Sequence, residues 1–183
     1  MNNMKAVSGA TSDQLAAVSA RARELGTDAS LTATSATDAA GAMAELAKGG
    51  FSVEQSMSAA KGTLQLAAAA GLEAADAATI QSQALQAFSL GADQASRVSD
   101  ILAGAANASS AEMTGIAQGM QQAGTVANQF GVSIDDTATT LAMFANAGIQ
   151  GSDAGTLMKS ALLALTDQGK PAQQAIEAVS YTH

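Results

Sequence analysis

An all-α chain, an array of short antiparallel helical hairpins with about eight to nine helices separated by Gly- and Ser/Asp-capped turns, is the architecture this sequence predicts. Three observations predict it. Apolar residues recur at helical spacing along the 183 residues, and no run alternates β-branched with polar residues as a half-buried strand does. Glycines punctuate the pattern: Gly50, Gly71 and Gly91 lie 21 and 20 residues apart, and Gly131 and Gly151 are again 20 apart. Helix-start signals come after these breaks, with Ser or Thr three residues before Glu, Gln or Asp.

Taken in order, Thr11 to Gln14 has capping-box spacing, and Leu15, Val18, Ala22 and Leu25 form a helical face that Gly26 closes. A polar connector, Thr27 to Thr34, leads to a second helix over Ala36 to Lys48, with Ala39, Met43 and Leu46 inward. Gly49-Gly50 ends it. Phe51 then takes the position before the Ser52 cap, where it can staple against the next first turn. Val53, Met57, Ala60 and Leu64 make the third stripe, which stops at Gly71. The fourth helix carries Ile80, Ala84, Leu85 and Phe88 and stops at Gly91. Asp93 can cap a fifth, with Val98, Ile101, Leu102 and Ala105 on one face.

Asn107 to Ser110 is a break, and Ser109 to Glu112 repeats the capping spacing. The sixth helix carries Met113, Ile116, Met120, Ala127 and Phe130. Its Gly115, Gly119 and Gly124 either admit a neighbouring backbone or bend the helix, since each lowers helicity by up to about 1 kcal/mol relative to alanine. Gly131-Val132-Ser133-Ile134 restarts the pattern of Gly50-Phe51-Ser52-Val53, with Ile134, Ala138, Leu141 and Ala145 inward. Leu141 to Leu165 is the joint the chain turns on. Ala147-Gly148 can end one helix with a left-handed cap, and Ser152 or Asp153 can cap the next. There Leu157, Met158, Ala161, Leu162 and Leu165 form one broad apolar face.

The balance of 8 basic against 16 acidic residues gives a net charge of -8, without the basic cluster a phosphate-binding surface needs. Sequence-specific nucleic-acid recognition is therefore not expected. Cysteine is absent, which removes disulfides, thiolate metal sites and cysteine nucleophiles together. The longest unbroken apolar run, Leu66 to Leu72 with its glycine, is far short of the roughly 20 residues of a transmembrane helix. With 48% apolar residues, largely alanine, but only 3% aromatic, the domain must rely on close helix approach or on partners.

Candidate chemistry reduces to architecture. His183 is the sole imidazole, so no catalytic triad or histidine-based zinc site can be built. Asp135-Asp136, Glu73 and Asp76 read as first-turn acids complementing helix dipoles. The glycines from Gly148 to Gly155, with Thr156, have neither the spacing nor the lysine of a phosphate loop. Met43, Met57, Met113, Met120, Met143 and Met158 read as adaptable core filler. No catalytic, cofactor-binding or metal-binding residue is expected. Gly50, Phe51, Ser52, Gly71, Gly91, Gly131, Ser133, Gly148, Gly151, Asp153 and Gly155 form a structural motif instead.

Four stretches carry a family resemblance. They are Ala6 to Thr11 running on to Gly26; Glu45 to Glu54; Ala87 to Gly91 through Arg97 to Leu102; and Phe144 to Gly151 with Ala154-Gly155 and Ser160 to Leu162. Together they resemble the conserved core region of phage tail tape measure proteins, across most of Ala6 to Thr166. Members often carry a proline in the middle of the sixth helix, where this chain has Gln122 to Val126. The resemblance implies a non-enzymatic structural protein of the virion tail, made in the host cytoplasm. It implies templating of the tail tube, setting of tail length, and release during genome ejection.

The implied partners are other copies within the tail lumen, the tail tube protein, tail assembly chaperones and tail tip proteins. Any host membrane contact falls to flanking segments. The chain reads as a fragment: a lead-in over 1–10, the tape measure core over 11–168, and a truncated helix over 169–183 whose last residues, 179–183, resemble a translated adapter. A non-enzymatic, alanine-rich cellular helical binding module, either granule-coating or a secreted bundle, is the alternative. Enzymatic chemistry would require a flanking domain.

Overall fold

A computed structural model describes residues 9–31 and 34–165 of the chain. All regular structure among the described residues is helical. The eight α-helices are α1 (Ser12–Gly26), α2 (Ala36–Lys48), α3 (Val53–Ala70), α4 (Ala74–Ala87), α5 (Ala95–Asn107), α6 (Met113–Gln129), α7 (Ile134–Asn146) and α8 (Gly151–Ala164), with a single 3-10 turn at Ala92–Gln94. The N-terminal lead-in up to residue 8 and the expected helix over 169–183 lie outside the described residues.

One turn chemistry recurs. After α2, α3, α4, α6 and α7 the chain places one residue in the left-handed region: Gly50, Gly71, Ser89, Gly131 and Gly148. The amide of the following residue then donates back to a carbonyl five residues earlier: Phe51 to Leu46, Leu72 to Ala67, Leu90 to Leu85, Val132 to Ala127 and Ile149 to Phe144. This 6→1 bond is the signature of a Schellman helix end, which satisfies carbonyls the helix leaves orphaned. The five donors are all apolar and all half-buried. Each sits between the end of one helix and the cap of the next, and so anchors both.

At Ser52 and Ser133 the cap is made by the side chain, which accepts from the amides of Gln55 and Asp136. Thr11 and Ser35 do the same for α1 and α2, and Thr11, Ser35 and Ser52 all complete reciprocal capping boxes. Gly26, the last residue of α1, serves a different end. A Cβ there would lie 2.5 Å from the Ala36 amide nitrogen, so Gly26 lets the start of α2 come close.

Three expectations about helix ends are corrected. Gly91 does not reverse the chain after α4; Ser89 does, with φ 55. Helix α4 ends at Ala87 with Phe88 as its cap, so the reversal falls two residues before the glycine, and Gly91 takes the extended cap of the 3-10 turn with φ -75. Asp93 lies inside that turn rather than capping α5. Glu112, not Ser109, stands at the N-cap of α6. Ser109 instead accepts from the Ala111 amide through its hydroxyl.

The chain divides between Ala103 and Gly104 into two compact units. In the first, α2 packs on α1, α3 and α4, and α3 also carries α4 and the 3-10 turn. Leu25, Met43, Leu46, Leu64, Leu66 and Leu85 are its fully buried large residues, together with Leu102 of α5. A polar knot closes it. Gln81, fully buried, donates to the Ala95 carbonyl at 2.6 Å, and the Ser99 hydroxyl lies 2.8 Å from both Gln81 Oε1 and the Gly62 carbonyl. Gly62 makes room for this, because a Cβ there would come within 2.7 Å of the Ser96 amide nitrogen.

In the second unit α6 packs most extensively on α8, and both contact α7. Ile116, Met120 and Leu141 are fully buried. Met143 is corrected from core filler to surface residue, at 66% exposure. It stands two positions after Leu141, about 200° around the helix from it, and the buried side of α7 is Ile134, Thr137, Ala138, Leu141, Ala142 and Ala145. Met57 and Ile80 are half-buried rather than core residues.

Candidate functional site: the glycine joint of the second unit

The α7–α8 joint combines the reversing turn with a close helix crossing. Gly148, φ +86, reverses the chain after α7, and Gly151, φ +61, turns it into α8. Gln150 is the N-cap and makes no side-chain cap bond. This corrects the expected cap: Ser152 and Asp153 fall inside the first turn, because Gly151 already opens the helix. Asp153 is left to complement the positive end of the helix dipole.

Helix α8 lies against α6 through small residues. A Cβ on Gly155 would clash with the Gly119 carbonyl oxygen and lie 2.7 Å from Gln122 Cβ, and a Cβ on Gly119 would come 2.7 Å from Leu141 Cδ2 and 3.2 Å from the Gly151 carbonyl. Of the two roles open to the α6 glycines, Gly119 fills that of admitting a neighbouring backbone, and α6 runs unbroken from Met113 to Gln129. The buried side of α8 is Ala154, Gly155 and Met158. The broad apolar face is therefore corrected: Leu157 is 42% exposed, Ala161 is exposed, and Leu162 and Leu165 are half-buried. The narrow, glycine-bearing side wins because it alone permits the backbones to approach.

The break before α6 ties into the same joint. Ser110 donates its amide to Asn146 Oδ1 at 2.9 Å and its hydroxyl to the Ala145 carbonyl at 2.8 Å. Gln150 Nε2 donates to the Ser110 hydroxyl and carbonyl at 3.2 and 3.3 Å. Ser110, Asn146 and Gln150 thus latch the α5–α6 connection to the turn between α7 and α8. Sequence patterning misses all three, because a polar residue in a loop carries no periodic signal. The Gly50-Phe51-Ser52 and Gly71 turns belong to the first unit and take no part in this joint; the Gly131-Ser133 turn leads into α7 within it.

Among the described residues, three carboxylates have lowered pKa values. Hydrogen bonds from Ser35 hold Asp38 below its ordinary pKa, and the Gln14 side-chain amide does the same for Glu54. The Ser30 hydroxyl and Lys61 hold Asp28 well below the carboxylate range. These groups stay charged at neutral pH and cannot act as general acids there. Among the described residues no three His, Cys, Asp or Glu side chains converge as a metal site would require. None of the described helices is long and apolar enough to cross a membrane.

With this geometry in place, similarity to known proteins becomes informative. Residues 19–182 match the family described as phage-related minor tail protein. The chain belongs to that family. It is 39% identical over 162 residues to a tape measure protein of Pneumococcus phage Dp-1, and 34% identical over 163 residues to a probable tape measure protein of Escherichia phage P2. Each match covers 88% of this chain. The chain spans 14% and 20% of the length of these two relatives. No solved structure matches this minor tail protein segment.

Proposed function

We propose that this segment is a helical core module of a tape measure protein. The whole protein occupies the tail lumen, templates polymerisation of the tube, sets tail length and leaves ahead of the genome. The observation that carries the proposal is the 39% identity to the Dp-1 tape measure protein across 88% of this chain. The module itself performs no catalysis. Its partners are other copies of the chain, the tube protein, tail assembly chaperones and tail tip proteins, with the host cytoplasm as the place of assembly.

The described geometry supports a division of labour within such a protein. A continuous helix converts residue count into distance at about 1.5 Å per residue. Here a left-handed residue interrupts the helix five times between α2 and α8, so the chain folds back instead of advancing. Length measurement is therefore assigned to flanking sequence, and this core to assembly or recognition of a tail end. Disrupting the gene and imaging lysates by electron microscopy tests the proposal, together with mass spectrometry of purified tails. Loss of full-length tails and recovery of this segment's peptides from them are expected; normal tails lacking those peptides would refute it.

A further inference from the structure

Helix α5 is clamped near its two ends by different units. Its first turns belong to the polar knot, where Gln81 donates to the Ala95 carbonyl and the Ser99 hydroxyl lies 2.8 Å from Gln81 Oε1 and the Gly62 carbonyl. These residues all lie in the first unit, which ends at Ala103. Just past the last turn, Ser110 gives its amide and hydroxyl to Asn146 Oδ1 and the Ala145 carbonyl. That clamp lies in the second unit, which begins at Gly104. The boundary between the units thus falls inside a helix instead of in a loop. Helix α5 runs through it from Ala95 to Asn107, and the Ala108 amide still donates to the Gly104 carbonyl at 2.9 Å.

The residue at this boundary is a glycine that packing does not require. Gly26, Gly62, Gly119 and Gly155 each stand where a Cβ would strike a neighbouring atom, and Gly50, Gly71, Gly131, Gly148 and Gly151 take a positive φ. Gly104 does neither. It is exposed, keeps a negative φ, and has nothing within 4 Å of its Cβ position. What remains is its effect on the helix itself, since glycine regains more backbone freedom than any other residue when a turn opens. Gly41 shares the open surroundings, but α2 packs on three helices of a single unit, so one core holds both sides of it.

We propose that Gly104 is a hinge at which α5 bends or opens, letting the two units reorient as separate bodies. Hinges concentrate a change of φ and ψ in a few residues between rigid parts. Here the clamps fix where that change falls. Residues up to Ser99 move with the first unit and Ser110 moves with the second, and Gly104 is the weakest helical position between them. Compact units of one chain reorient by default when the link between them yields, and Gly104 supplies the yielding point in an otherwise continuous helix.

The test uses the whole 183-residue chain, whose lack of cysteine confines spin labels to introduced sites. Ser58→Cys and Thr139→Cys place one label on an exposed position of α3 and one on α7. Pulsed electron paramagnetic resonance should give a broad distance distribution for this pair. A control pair within the first unit, Ser58→Cys with the exposed Gln83→Cys, should give a narrow one. Gly104→Ala is expected to lower the population of bent forms about fivefold and so narrow the first distribution, whereas Gly41→Ala should leave it broad. A distribution between the units as narrow as the control would overturn the hinge. So would a broad one that Gly104→Ala leaves unchanged, or that Gly41→Ala narrows equally, because the motion would then not arise at Gly104.

Discussion

Gly155 crosses Gly119 so closely that a Cβ on Gly155 would clash with the Gly119 carbonyl oxygen. The atom that must give way is backbone, so no rotamer change relieves it. Gly155→Ala is expected to destabilise the chain by about 1–3 kcal/mol through overpacking. Gly41→Ala is the matched control. Gly41 is exposed in the middle of α2 with nothing within 4 Å of its Cβ position, so alanine there should stabilise by about 0.5–1 kcal/mol. Urea unfolding monitored by circular dichroism measures both.

Ser89 is the non-glycine residue at a left-handed helix end, with φ 55. A left-handed conformation costs an L-residue roughly 1–2 kcal/mol that glycine avoids. Ser89→Gly should therefore raise the midpoint of thermal unfolding. Gly71→Ala and Gly131→Ala, at φ +63 and +75 in open surroundings, should lower it through backbone strain alone.

Ser56 and Thr137 occupy equivalent buried positions with opposite outcomes. Thr137 donates its hydroxyl to the Ser133 carbonyl at 2.8 Å, whereas Ser56 Oγ is buried without a partner. An unsatisfied buried hydroxyl costs about 1–3 kcal/mol. Ser56→Ala should stabilise the protein by part of that, and Ser99→Ala should destabilise it by opening the Gln81 knot. A Ser56→Ala variant less stable than wild type in urea would contradict the assignment.

Asp38 has its pKa lowered from 3.8 by the Ser35 hydroxyl and amide. The unfolded state therefore takes up protons at a higher pH than the folded state. The Asp38 contribution is present above about pH 4 and declines as pH falls through 3.8 toward the lower folded value. Comparing wild type with Asp38→Asn from about pH 2 to pH 7 should show a stability difference at neutral pH that shrinks below about pH 4. A constant difference would remove the cap from the account.

The fold is largely legible in the sequence because two local signals, glycine after a helix and Ser or Thr before one, are strong and repeated. Thr11, Ser52 and Ser133 cap as their spacing suggests. Legibility fails where tertiary packing decides the outcome. A hydrophobic pattern draws the apolar face of α8 through Leu157 because size dominates it, but the crossing at Gly119 buries the side with Ala154, Gly155 and Met158. Gly91 masks Ser89 because composition marks the neighbourhood of a turn and not its residue. The Ser110–Asn146–Gln150 latch joins residues 36 and 40 apart in sequence, a separation that no local window spans.

In-frame deletion of residues 132–151, one helix and its turn, from the parent tape measure gene puts the central claim to its most direct test. Tail lengths would be measured by electron microscopy. An extended ruler would lose about 20 residues at roughly 1.5 Å each, about 30 Å. The folded-core account predicts fewer assembled tails, with those that form keeping their full length. Tails shortened by about 30 Å, and by about twice that when two such units are removed, would contradict it.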